Sequence, residues 1–342
     1  MLNHGGNLAA AAAQYDIPED QWLDLSTGLN PIGWEPKGMI PTKYLAQLPY
    51  PDNNLLNAAI DYYGTEQLLP IPGSQAAIQV LPQLKKAGSV AIPVPGYEEH
   101  IYHWQKNGHI VSPYNAEQDN LLELVQRDQP DVVLIINPNN PTGHIYTKDA
   151  LLNILEAVER YAGLLIIDEA FIDTKPQHSL SAVSSDSLII LRSLGKFFGL
   201  PGIRAGFVIA NQDWRNTIES ALGPWTVSGP SQWIATQCLK DITWQHNALK
   251  SLQALSKQQL GFLSKVFASI SLDIGSSDYF NTLRLPEKTA DSVQNHFARN
   301  GILIRKIELT EGKSLLRFGL CADEKSLNDF QQAACSFKIT ES

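Results

Sequence analysis

The stretch SLGKFFGLPGIRAGF, Ser193 to Phe207, decides how the rest of the chain is read. It follows the short apolar run Leu188–Leu191 and leads into another, Ala205–Ile209. Such runs, without polar alternation, read as strands buried on both faces. Lys196 and Arg204 stand eight residues apart between them, separated by apolar residues and by Gly and Pro. That composition predicts a packed loop and not a solvated basic edge, so both cations are expected at a site.

Similar runs occur at Val90–Pro93, Val132–Ile136 and Leu164–Ile167, each bounded by Gly, Pro, Asn or Asp. Helical patterns separate several of them: Asn53–Tyr63, Ser74–Lys86 with Ser74 as its N-cap, and Lys148–Tyr161. Strands alternating with helices predict an α/β fold with a mostly parallel central sheet. After Pro230 the texture changes. Residues 231–269 lack Pro and predict one or two long helices. Strand-like Tyr279–Leu285, Ile302–Lys306 and Leu315–Gly319 follow, with helices at Thr289–Arg299 and from Asp323, which predicts a second, smaller α+β domain. The run Ala9–Ala13 reads as a short helix in an N-terminal arm. The expected organisation is an arm at 1–35 packing with the small domain, a large domain at 36–235 and a small domain at 236–342.

Composition is consistent with this plan. The 342 residues are 44% hydrophobic and 18% charged, an ordinary globular balance with length for two domains. A net charge of −9 argues against nucleic acid and anionic membranes as partners, since both reward clustered cations. No apolar run approaches the length of a membrane span. The first Lys or Arg is Lys37, so the basic start of a secretory signal is missing. Cys238, Cys321 and Cys335 form an odd set without CxxC spacing, which predicts reduced thiols in a cytoplasmic protein. His100 and His103 lack a third ligand in the sequence and are expected to be packed or solvated, with no metal site.

The chemistry lies in polar residues at strand ends, where ligands of open α/β sheets collect. Asp168 closes LLIID, Asn137 and Asn140 belong to NPNNPTG, and Gly73-Ser74-Gln75 opens a helix after a Pro-containing strand end. A helix N-terminus beginning Gly-Ser-Gln, with a hydroxyl from Ser193 and the fork of Arg204, suits a phosphate monoester. Lys196 beside it can form a Schiff base with an aldehyde. Asp168 can hold a pyridine nitrogen protonated. Phosphate, aldehyde and pyridinium partners together describe pyridoxal 5′-phosphate. The rival reading of SLGK, the SxxK motif of serine acyl-enzymes, also needs SDN and KTG, and this chain has only KTA at 288–290.

The segments 73-GSQ, 137-NPNNPTG, 168-DEAF, 193-SLGKFFGLPGIRAGF and 315-LLRFG resemble fold type I pyridoxal-phosphate enzymes of the histidinol-phosphate aminotransferase branch. Within it, HGGN (His4–Asn7), LNPIG (29–33) and DEAF resemble the threonine-phosphate decarboxylases. The resemblance implies a Schiff-base Lys196, an Asp168 paired with the pyridine nitrogen and an Asn140 donating to the ring oxygen. It implies a phosphate held by Gly73, Ser74, Gln75, Ser193 and Arg204, and Tyr97 stacked on the ring. Tyr50 would reach the neighbouring subunit's phosphate, which implies a homodimer. Arg317 would take the substrate carboxylate, with His4, Asn7, Asn30 and Arg305 near the substrate phosphate. The implied reaction is decarboxylation of L-threonine O-3-phosphate to (R)-1-amino-2-propanol O-2-phosphate and carbon dioxide, for cobalamin biosynthesis. The alternatives are a histidinol-phosphate-type aminotransferase and a non-catalytic cofactor-binding protein. Phe171 departs from the aminotransferase pattern, which carries Tyr there. Its missing hydroxyl removes one donor to the ring oxygen.

Overall fold

The runs VVLII and LLIID form neighbouring strands in which every residue is buried. Uninterrupted burial of this kind requires cover on both faces of the sheet, which the intervening helices supply. The computed structural model describes residues 4–338. In chain order its elements begin with helix α1 (Leu8–Tyr15), strand β1 (Leu23–Leu25), and helices α2 (Lys43–Ala46) and α3 (Asn53–Tyr63). Strand β2 (Leu68–Ile71), helix α4 (Ser74–Leu84), strand β3 (Ser89–Pro93), helix α5 (Glu98–Lys106) and strand β4 (Ile110–Tyr114) follow. Next come β5 (Val132–Ile136), β6 (Leu164–Asp168), β7 (Leu188–Ser193) and β8 (Gly206–Ala210).

The chain divides into two compact units. One comprises 33–140 and 144–246 and is built on a seven-stranded sheet of order β2-β8-β7-β6-β5-β3-β4. Strands β3 to β7 are parallel to their neighbours, and only β8, between β7 and β2, runs antiparallel. The mostly parallel α/β sheet expected from the apolar runs is therefore present. Helix α3 illustrates how local signals set the elements. Asp52 caps it by accepting from the Asn54 N–H, and Gly64 ends it at φ 71°. Leu55, Ala58, Ala59 and Tyr63, at helical spacing, turn into the core.

Helix α4 corrects one expectation. Gly73, not Ser74, is its N-cap, at φ 79° and ψ 157°, and Ser74 occupies the first helical position. An N-cap must have non-helical dihedrals, and this pair of angles is open essentially to glycine alone. The helix also stops at Leu84, two residues before the expected Lys86.

The second unit comprises, among the described residues, 4–32, 141–143 and 247–338. It adds strands β9 (Asp273–Ser276), β10 (Phe280–Pro286), β11 (Ile302–Glu308) and β12 (Lys313–Gly319). Its five-stranded sheet has the order β1-β11-β12-β10-β9, with β1 parallel to β11. Its core gathers Leu25 from β1 with Leu283, Phe297, Leu316, Phe318 and Phe330 from the C-terminal segment. The stretch 231–269 is divided between two helices parted at Asp241: Gly229–Lys240, which belongs to the larger unit and carries Pro230 in its first turn, and Ile242–Val266.

Candidate active site

Strands β6 and β7 end side by side, with Asp168 level with Leu191 in the register. Alternation along each strand sends neighbouring side chains to opposite faces of the sheet. Asp168 and Ser193 point into a cavity, while Glu169 and Arg192 meet on the other side, Arg192 Nη1 donating to Glu169 Oε2 at 2.9 Å. The cavity, counting the open space at its mouth, holds about 670 Å³. Ser74, Gln75, Tyr97, Asn140, Asp168, Ser193, Lys196 and Arg204 all line it. Eight of the residues singled out from the sequence are thus brought together, although they come from five separate segments.

One end of the cavity is built for an anion. The first N–H groups of α4 have no carbonyl to bond within the helix. Arg204 lies beside them, its Nη1 donating to the Pro201 carbonyl at 3.0 Å. A Cβ added to Gly73 would stand 2.8 Å from Arg204 Nη2. Glycine at 73 therefore serves both the dihedral angles and the close approach of the guanidinium. Arg204 itself sits in the left-handed region at φ 48°, a conformation that costs a non-glycine residue about 1–2 kcal/mol. Gly206 keeps β8 close: a Cβ there would come within 3.2 Å of the Ser74 N and would meet the Arg192 carbonyl.

The other end carries the carboxylate. Asp168 is 4% exposed. Its Oδ2 lies 2.9 Å from His100 Nε2, and its Oδ1 accepts from the Ala170 N–H at 3.0 Å. His100 is the functional neighbour that the sequence reading did not assign. The spacing of His100 and His103 was legible, but a pairing across 68 residues depends on where α5 packs relative to the end of β6. The two histidines do not face a common ligand. His103 Nε2 contacts Glu99 Oε2 at 3.0 Å.

Between the two ends, Lys196 Nζ lies 5.1 Å from the centre of the Phe171 ring. The residue that replaces a tyrosine thus offers the amine an aromatic face. Tyr97 lines the cavity and donates its hydroxyl to Gln75 Oε1 at 3.1 Å. Ser193 Oγ accepts from the Gly195 N–H at 3.2 Å, fixing the turn that leads to Lys196.

Tyr50 is not part of this cavity. It is 67% exposed and packs edge-on against Trp225, with ring centroids 5.9 Å apart.

The remaining candidates belong to the smaller unit. Arg305 and Arg317 stand directly opposite each other on β11 and β12. Arg317 is 8% exposed, and its Nη2 donates to the Ser26 carbonyl at 2.5 Å. Burial, with Arg305 facing it, pushes the Arg317 guanidinium down to about 10, against a partial pull from Asp24. Two like charges opposed in a sheet are unfavourable, and an anionic ligand relieves them. His4, Asn7 and Arg305 line a polar cavity of this unit together with Ser26. The Asn7 side chain caps α1 by accepting from the Ala10 N–H at 3.2 Å. Asn30 is buried, and its Oδ1 accepts from the Ile32 N–H at 3.0 Å.

The profile of the family described as aminotransferase class I and II matches residues 42–332. The chain belongs to that family. A Pseudomonas aeruginosa protein named threonine-phosphate decarboxylase is 40% identical to this aminotransferase-family chain, over 99% of this chain and 98% of its own. A protein of the same name from Sinorhizobium sp. is 35% identical over 94% and 93%. The solved histidinol-phosphate aminotransferase from Clostridium acetobutylicum superposes with a TM-score of 0.77 at 26% identity, covering 92% of this chain and 98% of that one.

The cofactor of the class I and II aminotransferase family is pyridoxal 5′-phosphate, and the donor set fits it. An anion cradle at the α4 N-terminus, an amine at Lys196 and a buried carboxylate at Asp168 supply a partner for each of its three polar features. No helix among the described residues is long and apolar enough to cross a membrane.

Proposed function

We propose that this chain is a pyridoxal-phosphate-dependent decarboxylase of L-threonine O-3-phosphate, producing (R)-1-amino-2-propanol O-2-phosphate and carbon dioxide. The observation that carries the choice of reaction is the 40% identity, over nearly the whole of both chains, to a protein named threonine-phosphate decarboxylase. Cobalamin biosynthesis is the setting in which that product is used.

When bound, the cofactor supplies an electron sink for the pair of electrons left at Cα when a bond there breaks. The chain's own groups do the rest. Lys196 Nζ would hold the cofactor covalently; once displaced by substrate it would take up the proton that the substrate's ammonium gives up and, as an ammonium, deliver it to Cα. The Asp168 carboxylate, oriented by His100 and the Ala170 N–H, holds the proton on the ring nitrogen. Asn140 donates to the ring oxygen, and Tyr97 covers the ring face. The phosphate is taken by the Arg204 fork, the Ser74 and Ser193 hydroxyls and the N–H groups that follow Gly73. Gln75 contributes its backbone N–H there, because its side chain is engaged with Tyr97 and Glu99.

The substrate carboxylate goes to Arg317, and its phosphate to Arg305, His4, Asn7 and Asn30. The phosphate contacts are remote from the breaking bond, so their binding energy can be used to set the carboxylate perpendicular to the ring. Tyr50, exposed beside Trp225, reaches the cofactor phosphate of a second copy, so the working form is a homodimer. Three free cysteines, Cys238 and Cys321 buried and Cys335 exposed, suit reduced thiols and a cytoplasmic location.

Incubation with threonine phosphate tests the assignment. Carbon dioxide release without any keto acid supports it. A strict requirement for 2-oxoglutarate points instead to the aminotransferase activity named for the C. acetobutylicum structure. Lys196→Ala is expected to abolish covalent attachment of the cofactor and its visible absorbance. A wild type that stays colourless after reconstitution refutes the enzyme assignment as a whole.

A further inference from the structure

Helix α5 reaches the cofactor cavity from two of its faces. His100 holds Asp168 at one end, as described. From another face Glu99 reaches the opposite end without lining the cavity itself. Its Oε2 accepts from Gln75 Nε2 at 2.8 Å and faces His103 Nε2 at 3.0 Å. Both side chains of this contact are largely shielded, 14% exposed for Glu99 and 10% for His103. Gln75 passes the constraint on, since its Oε1 accepts the Tyr97 hydroxyl at 3.1 Å.

The order of donors and acceptors in this chain gives it a direction. A glutamine amide can present either its oxygen or its nitrogen toward a neighbour. A carboxylate opposite Nε2 accepts only a donor, so Glu99 selects the orientation in which the oxygen turns to Tyr97. His103, facing the same oxygen, carries its hydrogen on Nε2. Without Glu99 the amide can rotate, and the Tyr97 hydroxyl no longer has a fixed acceptor. Its ring then loses the hydrogen bond that holds its tilt at the cavity wall.

We propose that Glu99 is a positioning residue for the cofactor, clamping Gln75 so that Tyr97 is held over the ring, with His103 completing the clamp. This rests on the reading of the cavity as a pyridoxal-phosphate site. Glu99 also stands in the first turn of α5, where a negative charge stabilises a helix whatever it touches. A test must therefore separate the charge from the clamp, and the isosteric amide does so. Glu99→Gln loses the charge but keeps an oxygen that accepts from Gln75, whereas Glu99→Ala loses both.

The measurements are the cofactor dissociation constant, by fluorescence quenching, and the circular dichroism of the bound cofactor in the visible region. Glu99→Ala is expected to raise the dissociation constant about tenfold, the scale of one hydrogen bond to a charged group. Its visible dichroism falls to less than about half of wild type, because an unheld ring imposes less asymmetry. Glu99→Gln stays within about threefold of wild type, while the thermal stability of the cofactor-free protein falls in both variants, further in Glu99→Ala, which also loses the hydrogen bond to Gln75. Tyr97→Phe reproduces the loss and adds nothing further in the Glu99→Ala background.

A Glu99→Ala protein with wild-type affinity and dichroism overturns the proposal. So does a Glu99→Gln protein as impaired as the alanine variant, or full additivity with Tyr97→Phe. If the wild type binds cofactor and the variants match it, only the positioning role fails. A wild type that takes up no cofactor overturns the site assignment as well.

Discussion

Arg192→Met tests the buried ionic cluster beneath the active-site strands. The Arg192 side chain is 4% exposed, and its two partners are equally shielded, Glu169 at 0% and Asp173 at 3%. Its Nη1 donates to Glu169 Oε2 at 2.9 Å and its Nη2 to Asp173 Oδ1 at 2.7 Å, while its plane covers the Tyr63 ring at 4.7 Å. Burial opposes the guanidinium charge, but Asp173 and Glu169 outweigh it and hold the group above its ordinary range. Methionine fills much of the same volume and removes the cation, leaving two buried carboxylates. Glu169 keeps the Ser179 hydroxyl at 2.6 Å and the Leu180 N–H at 3.2 Å, and Asp173 keeps the Tyr62 hydroxyl at 2.9 Å.

Breaking a buried pair from one side costs about 3–5 kcal/mol. With a urea slope of about 3 kcal/mol per M, the unfolding midpoint is expected to fall by about 1–1.7 M. The pH dependence has a definite sign. Burial already raises the Glu169 carboxyl, with Arg192 opposing, so loss of Arg192 raises it further. A carboxyl raised in the folded state contributes stability below its unfolded pKa and loses it as pH rises through the folded value. The defect is therefore greatest at pH 8 and shrinks toward pH 5. Glu169→Gln placed in the Arg192→Met background removes one stranded charge and is expected to restore at least half of the loss. A midpoint within about 0.2 M of wild type at pH 8 would refute the reasoning, as would a loss that grows on acidification.

Three further outcomes follow from the same geometry. His100→Phe keeps the buried volume but leaves the Asp168 carboxylate with only the Ala170 N–H of its two protein contacts described above; loss of a charge-assisted bond of about 1.5–3 kcal/mol predicts a fall in kcat/KM of about 10–100-fold, and a fall of less than threefold would be inconsistent with it. Gly73→Ala is expected to weaken cofactor binding, because a side chain at φ 79° and ψ 157° costs about 1–3 kcal/mol and its Cβ displaces Arg204; the dissociation constant for inorganic phosphate in the cofactor-free protein measures this directly, and an unchanged value would count against the cradle. Native protein should titrate one thiol rapidly with Ellman's reagent, the exposed Cys335. Burial pushes the Cys238 thiol up, and that of Cys321 up to about 12, so these two react only after unfolding.

Much of the larger unit was legible locally. The apolar runs that became β3, β5, β6, β7 and β8 are short and unalternated, and that pattern alone carries the signal. Strand β4 was not read. It pairs only with β3 at the sheet edge, contains Pro113 and exposes Ile110, so it lacks the buried run that identifies its neighbours. The misassigned cap of α4 has a similar origin: Ser before a helix is a good cap by composition, but the backbone angles that Gly73 adopts are set by the approach of Arg204 and β8.

By itself the sequence determined the α/β class, the positions of most strands, and the residue types gathered for phosphate, aldehyde and pyridine. Those properties depend on chemistry and spacing within a few residues. Only the tertiary structure decided which group holds which. Strand order brings Asp168 against His100 across 68 residues, and the packing of α5 carries Glu99 to Gln75 across 24. It also sets Lys196 over Phe171 and opposes Arg305 to Arg317. Hydrogen bonds and ion pairs act over about 3 Å, and a chain reaches that precision between distant segments only after its core has packed.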